Sequence, residues 1–245
     1  MRPAEQNSAG ITPTTCRPFR EKLRITKFIM DAGLRLNLHS VACASACLLY
    51  HRIVKHFSSN QSDFRLNNAM LVGSTALYLA SKIEECPCKL RDVINVSYRL
   101  LHNDMVPLDV GSLYWELHDS LVNCELMMLR TLQFHVTFNN PHKYLLHYLK
   151  SLEDWLAEES FDAIGQLSWS LLQDSFHTTL CLQHSPSNIA VAMIYFALNC
   201  LGITVPSHGA QSTWWQAVCP ASTEQEIQEI ISNMIEFYSS EHAMK

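Results

Sequence analysis

A run of small side chains at helical spacing constrains this chain more than any other feature. Ala69, Gly73, Ala76, Ala80 and Ile83 recur at intervals of three and four, so one face of a helix carries little bulk. Neighbouring helices can close on such a face, which places it at the centre of a bundle. The pattern returns at a constant offset of 117 positions, where residues 189–197 (IAVAMIYFA) echo residues 72–80 (VGSTALYLA). Each half thus has its own small-residue helix with a tyrosine, Tyr78 or Tyr195, just before its end. Two all-helical halves of about a hundred residues each are the economical reading.

The first of these helices ends on charge: Ser81-Lys82-Ile83-Glu84-Glu85. Lysines are rarely buried without a partner, so Lys82 is expected at a rim where something can meet it. Glu125 is a second anomaly. Its helical neighbours Leu121, Val122, Met128 and Leu129 are all apolar, and a carboxylate in that setting needs a partner or bears a large desolvation cost. Lys82 and Glu125 can pair simply to tie two helices together. They can equally present a donor and an acceptor to another protein's backbone, and both roles can hold at once.

The remaining helices follow from periodicity. Residues 1–19 are polar and carry Pro3, Gly10, Pro13 and Pro18, which reads as a flexible leader. A first helix from Arg20 buries Leu23, Phe28, Ile29, Ala32 and Leu36 and breaks near Gly33 to Asn37. A second, with Ser40 as its cap, buries Ala42, Ala46, Leu49, Ile53 and Phe57. Residues 58–63 read as a loop, the small-residue helix stops at Pro87, and 91–101 form a shorter helix. A long helix over 112–132 carries Leu117, Leu121, Cys124 and Met128. Asn139-Asn140-Pro141 marks the boundary, giving halves of 20–138 and 139–240 and a tail of 241–245. In the second half 143–152, 161–180, 187–200 and 224–238 are helical by pattern. Trp214-Trp215 reads as part of a loop packed back onto the second bundle.

Composition removes several function classes. A formal charge of −5 with no basic stripe argues against a nucleic-acid face. No apolar run is long enough for a membrane span. Nine cysteines without repeating spacing read as reduced thiols of an intracellular protein, and Cys86-Pro87-Cys88 alone is a poor zinc signal. Twelve histidines include no ligand pair at helical spacing, and no nucleophile elbow or phosphate-cradling glycine loop is present. Neither a catalytic constellation nor a cofactor or metal site is expected.

These features together resemble the cyclin family. Ala80-Ser81-Lys82-Ile83-Glu84-Glu85 resembles the close of the third helix of a cyclin box, and residues 124–134 (CELMMLRTLQF) resemble the end of the fifth. Pro87 with the following Lys89-Leu90-Arg91-Asp92-Val93-Ile94, Asn140-Pro141-His142-Lys143-Tyr144, residues 179–183 and the tryptophan pair are similar to the transcription-type branch. The resemblance implies an all-α fold of two tandem cyclin-box five-helix bundles. It also implies a non-catalytic regulatory subunit, in the nucleus, the cytoplasm or both, that forms a heterodimer with a cyclin-dependent kinase. Cyclin-dependent kinase ten is the partner expected. In that family the residues matching Lys82 and Glu125 hydrogen-bond the kinase's mobile C helix and its approach. Those matching Leu79, Ile83 and Phe134 pack against the helix, with Glu85 at the same edge. The substrate-recruiting Met-Arg-Ala-Ile-Leu patch of cell-cycle cyclins is replaced here by Leu23-Arg24-Ile25-Thr26-Lys27-Phe28. A kinase-independent scaffold like transcription factor IIB is the alternative; no zinc ribbon or basic face supports it.

Overall fold

The computed structural model describes residues 13–59, 66–103, 106–156, 158–205 and 213–243. Among them every regular element is helical. The first half holds α1 (Pro13–Arg35), α2 (Ser40–Ser59), α3 (Leu66–Ile83), α4 (Leu90–His102) and α5 (Ser112–Thr131). The second holds α6 (Pro141–Leu152), α7 (Glu158–Ser175), α8 (Pro186–Leu201), α9 (Trp214–Val218) and α10 (Glu224–His242). Short 3-10 turns follow α6 and α7, the second over Leu180–Leu182.

The two small-residue helices occupy the centres. α3 packs against α1, α2, α4 and α5, and α8 against α6, α7 and α10. Ala69, Ala76 and Ala80 are buried, and a Cβ added at Gly73 would lie 3.1 Å from Ile25 Cγ2, so α1 has closed over the gap. On α8 every residue from Asn188 to Ile194 is buried, as are Ala197 and Leu198. The expected core positions Ile29, Ala46, Leu49, Ile53, Cys124 and Met128 are buried too.

Several boundaries differ from the sequence reading. α1 begins at Pro13, so residues 13–19 are its first turns rather than leader; residues 1–12 lie outside the described residues. Proline suits a first helical position, and Phe19 gains an edge-to-face contact with Phe237 of α10 at 6.1 Å that holds this end down. Ser40 lies inside α2, whose first bond runs from the Cys43 amide to the His39 carbonyl. The loop expected at 58–63 is helical to Ser59 and otherwise outside the described residues. α7 stops at Ser175 instead of Leu180. The hydroxyls of Ser175 and Thr178 donate to the carbonyls of Leu172 and Ser175, both at 2.6 Å, and the amides of 176–178 take i−3 carbonyls. The tryptophan pair opens α9, a single short helix with a Thr213/Gln216 capping box. Trp215 is buried and Trp214 stacks on Tyr195 at 6.2 Å.

α1 and α2 meet the second half along a seam. His51 Nε2 lies 2.9 Å from the Phe176 carbonyl, His177 Nδ1 lies 2.9 Å from Thr26 Oγ1, and Lys27 pairs with Glu241 at 2.7 Å. At the boundary, Asn140 Nδ2 donates to Ser45 Oγ and to Glu84 Oε1, and Ser45 Oγ donates to Glu84 Oε1 at 2.5 Å. Three segments far apart in sequence are thereby joined beside the end of α3.

Candidate protein-docking face

The ends of α3 and α5 lie side by side and bring the two anomalous charges together. Lys82 Nζ donates to Glu125 Oε1 at 2.7 Å and sits 3.9 Å above the Tyr78 ring, one turn back on α3. The pair straddles the surface: the lysine side chain is 42% exposed and the glutamate 14%. Partial burial works against the ammonium. The hydrogen bonds to Glu125 and Tyr78 outweigh it, so the Lys82 pKa is raised and the group stays charged. A pair with one side open to solvent contributes little to folding yet keeps hydrogen-bonding capacity for an incoming group.

The same stretches of chain carry exposed apolar side chains. Leu126, next to Glu125, is 47% exposed, and Phe134, just beyond α5, is 68% exposed. Ile83 is half-buried and packs on the core. Leu79, expected among the docking residues, is only 4% exposed, so it supports the face from beneath and offers no area of its own. Glu84 and Glu85 divide the work at the helix end. Glu84 points inward to Ser45 and Asn140, and Glu85 is exposed.

Backbone strain concentrates at the same place. α3 closes with the Cys86 amide on the Ser81 carbonyl and the Glu85 amide on the Lys82 carbonyl, with Glu85 left-handed at φ 55°. α5 closes likewise, Phe134 to Leu129 and Gln133 to Arg130, with Gln133 at φ 51° and Phe134 at φ 60°. Glycine or asparagine tolerates this conformation best, and α1, α4 and α8 end that way on Asn37, Asn103 and Gly202. The two helices that carry the charged pair use glutamate, glutamine and phenylalanine. Strained residues of this kind cluster at functional surfaces. Beyond the strained cap the chain is clamped: Arg52 lies 4.3 Å over the Phe138 ring and donates to the His135 carbonyl.

Sequence reasoning missed Tyr78, whose i−4 spacing from Lys82 was there to be read, and Leu126. It also missed the Glu84–Ser45–Asn140 junction, which has no local signal. Among the described residues no group of three or more histidine, cysteine or acidic side chains is placed to hold a metal ion. No described helix is long and apolar enough to cross a membrane.

The family model described as "Cyclin, N-terminal domain" matches residues 6–137, more than half of the chain. The chain belongs to the cyclin family. A second model, "Cyclin-T2-like, C-terminal domain", matches residues 155–237 and places this cyclin in the transcription-type branch. Cyclin-T1-4 of Arabidopsis thaliana is 31% identical over 215 residues, which is 86% of this chain and 37% of that protein. Cyclin-L1 of Gallus gallus is 33% identical over 240 residues, 95% of this chain and 41% of that protein. The chain thus spans about two fifths of the length of the curated relatives it matches. A solved chain of the yeast RNA Pol II CTD kinase CTDK-1 complex superposes with a TM-score of 0.70 at 18% identity, covering 91% of this chain and 66% of that one. At that identity the likeness speaks for the fold. The all-α architecture is that of tandem cyclin folds.

Proposed function

We propose that this chain is the non-catalytic, activating subunit of a cyclin-dependent protein kinase, and that cyclin-dependent kinase ten is its partner. The first half, residues 20–138, docks the kinase; the second, residues 139–240, supports it. One observation carries the reading: the Lys82–Glu125 pair is half-open, on two helices that close in strained caps and that carry the exposed apolar side chains Leu126 and, just beyond α5, Phe134. The charged pair sets the register of the kinase's C helix, and Ile83, Leu126 and Phe134 supply burial, with Leu79 behind them and Glu85 at the edge.

A kinase transfers phosphate efficiently only when its C-helix glutamate is paired with the phosphate-binding lysine. A subunit that binds the inward position of that helix shifts the equilibrium by its differential affinity for the two positions. Nothing in the chemistry requires a catalytic group, cofactor or metal on this chain. The test is co-expression with cyclin-dependent kinase ten, co-purification, and measurement of phosphotransfer. The expected result is a stable heterodimer whose activity Lys82→Glu abolishes while the variant keeps its helical circular dichroism. A folded variant that still binds and activates the kinase refutes the docking role. Association with Pol II-type assemblies without any kinase favours the scaffold reading.

A further inference from the structure

Asn140 occupies the N-cap of α6, in extended backbone at φ −75° and ψ 139°. An asparagine there ordinarily accepts a bond from an amide of its own helix. Asn140 makes no such bond. α8 and α10 do use their caps: Ser185 accepts from the Asn188 amide and Thr223 from the Glu226 amide. Asn140 turns its side chain toward the first half instead, Nδ2 donating to Ser45 Oγ at 2.9 Å and to Glu84 Oε1 at 3.1 Å. The carboxylate opposite fixes which end of the amide faces α3, since only the NH2 group can donate to it. Oδ1 is left buried with no hydrogen-bond partner. α6 thus forgoes its own cap and leaves an acceptor unsatisfied, and gains two bonds to the other half.

Those bonds reach the helix end that carries Lys82, where each polar side chain is tied to a different neighbour. Ser81 is fully buried and donates to the Tyr78 carbonyl at 2.7 Å, Lys82 is held by Glu125 of α5, and Glu84 by Ser45 of α2 and Asn140 of α6. The backbone between them is the strained cap, in which the amides of Glu84, Glu85 and Cys86 return to the carbonyls of Ala80, Lys82 and Ser81.

We propose that Asn140 is a positioning residue for kinase recognition. From the second half of the chain it holds Glu84, and through Glu84 the end of α3, so that Lys82 and Glu85 stand in one orientation before the partner arrives. The inference rests on the docking reading above. A group already held in its bound geometry loses less entropy on association, and it is only as well placed as the residues that support it. Asn140 is 8% exposed, so its effect passes through Glu84 and not through a contact of its own. By this bond the second half takes part in recognition at the face of the first.

Asn140→Ser separates position from stability, because serine can cap α6 yet falls short of Glu84. In the free full chain, hydrogen exchange at the amides of Glu84, Glu85 and Cys86 should quicken about tenfold or more, while Ala190 to Ile194 in α8 exchange as before. With cyclin-dependent kinase ten, calorimetry should show an affinity about threefold to tenfold weaker. In the Lys82→Met background the same substitution should change affinity by less than about twofold, because the group that it positions is gone. Asn140→Ala, which caps nothing, should melt below Asn140→Ser and bind the kinase no worse. Unchanged exchange at the three amides overturns the positioning. So does an affinity that follows Tm across the two variants, or an equal loss with and without Lys82. Indifference of the kinase to Lys82→Met overturns the docking reading, and the role in recognition with it, whatever the exchange shows. The two failures are thus read by different measurements.

Discussion

Removing the Lys82–Glu125 pair separates a structural tie from a docking device. At 2.7 Å two unit charges attract by about 1.5 kcal/mol in water's dielectric. Holding a lysine side chain in one geometry costs on the order of 1–2 kcal/mol. The remainder is within about 0.5 kcal/mol of zero, at the low end of the range measured for exposed pairs. Lys82→Met, Glu125→Gln and the double variant should therefore shift urea unfolding by less than about 1 kcal/mol each, with a coupling energy below that figure. Docking has a different scale. A kinase group that meets the pair loses charge-assisted hydrogen bonds worth roughly 1.5–3 kcal/mol, so either single variant should weaken binding about tenfold to a hundredfold. The assay is a double-mutant cycle run twice, once by circular dichroism in urea and once by calorimetry with the kinase. A coupling above about 3 kcal/mol in unfolding would mark a buried structural tie. Unchanged kinase affinity in both single variants would remove the pair from the interface. Either result refutes the reasoning.

Glu85→Gly should raise stability by about 0.5–1 kcal/mol, because it relieves a left-handed residue at a helix end, as an increased urea midpoint at constant slope shows. His51 and His142 are neutral in the fold, each pushed down to about 4 by burial, against 6.5 when unfolded. Between those values the unfolded chain binds protons that the folded chain refuses, so their contribution is complete above pH 6.5 and is lost as the pH falls toward 4. The loss should reach about 1–2 kcal/mol per histidine at pH 5; a urea midpoint that stays flat from pH 7.5 to 5 contradicts it. Gly33→Ala should cost about 1–3 kcal/mol, since its Cβ would lie 2.3 Å from Cys43 Sγ, and Cys43→Ala in the same chain should restore most of the loss in thermal melts. Asn140→Ala should cost about 1–3 kcal/mol by stripping a buried bond from Ser45 and one from Glu84, measured by the same melts.

The central helices and the charged pair were legible because their signals are local. A stripe of alanines and glycine at three- and four-residue spacing has one use, and a carboxylate among Leu121, Val122, Met128 and Leu129 needs a partner wherever it folds. Features set by tertiary contact or by competing turn chemistry were not legible. α9 is five residues long and has no period to detect. The early end of α7 comes from two hydroxyls bonding to backbone carbonyls, an outcome periodicity does not encode. Leu79 shares a face with Lys82 by spacing alone, and the fold places it in the core nonetheless. The Ser45–Glu84–Asn140 junction joins residues 39 and 56 positions apart, beyond any window.

The internal repeat turns the strained cap into an argument about function. At the offset of 117 positions Ser81 corresponds to Leu198, Lys82 to Asn199 and Glu85 to Gly202. The closing bonds correspond as well: Cys86 to Ser81 in the first half, Ile203 to Leu198 in the second. One cap geometry is therefore built twice from different residues. The second half uses glycine at φ 66°, which suits that conformation, and a neutral asparagine where the first half has Lys82. The first half keeps glutamate at φ 55° and places a lysine beside it, paired across to Glu125. Folding alone favours the glycine solution, as α8 demonstrates. Folding also has no need of a charge at this point, since α8 closes without one. The first half bears about 1 kcal/mol of backbone strain and a partly desolvated ammonium, offset inside the chain only by the half-open Lys82–Glu125 pair and the Tyr78 ring. That arrangement fits the proposed docking role, in which a partner meets Lys82, Glu85 and Glu125 from outside and α8 serves as core.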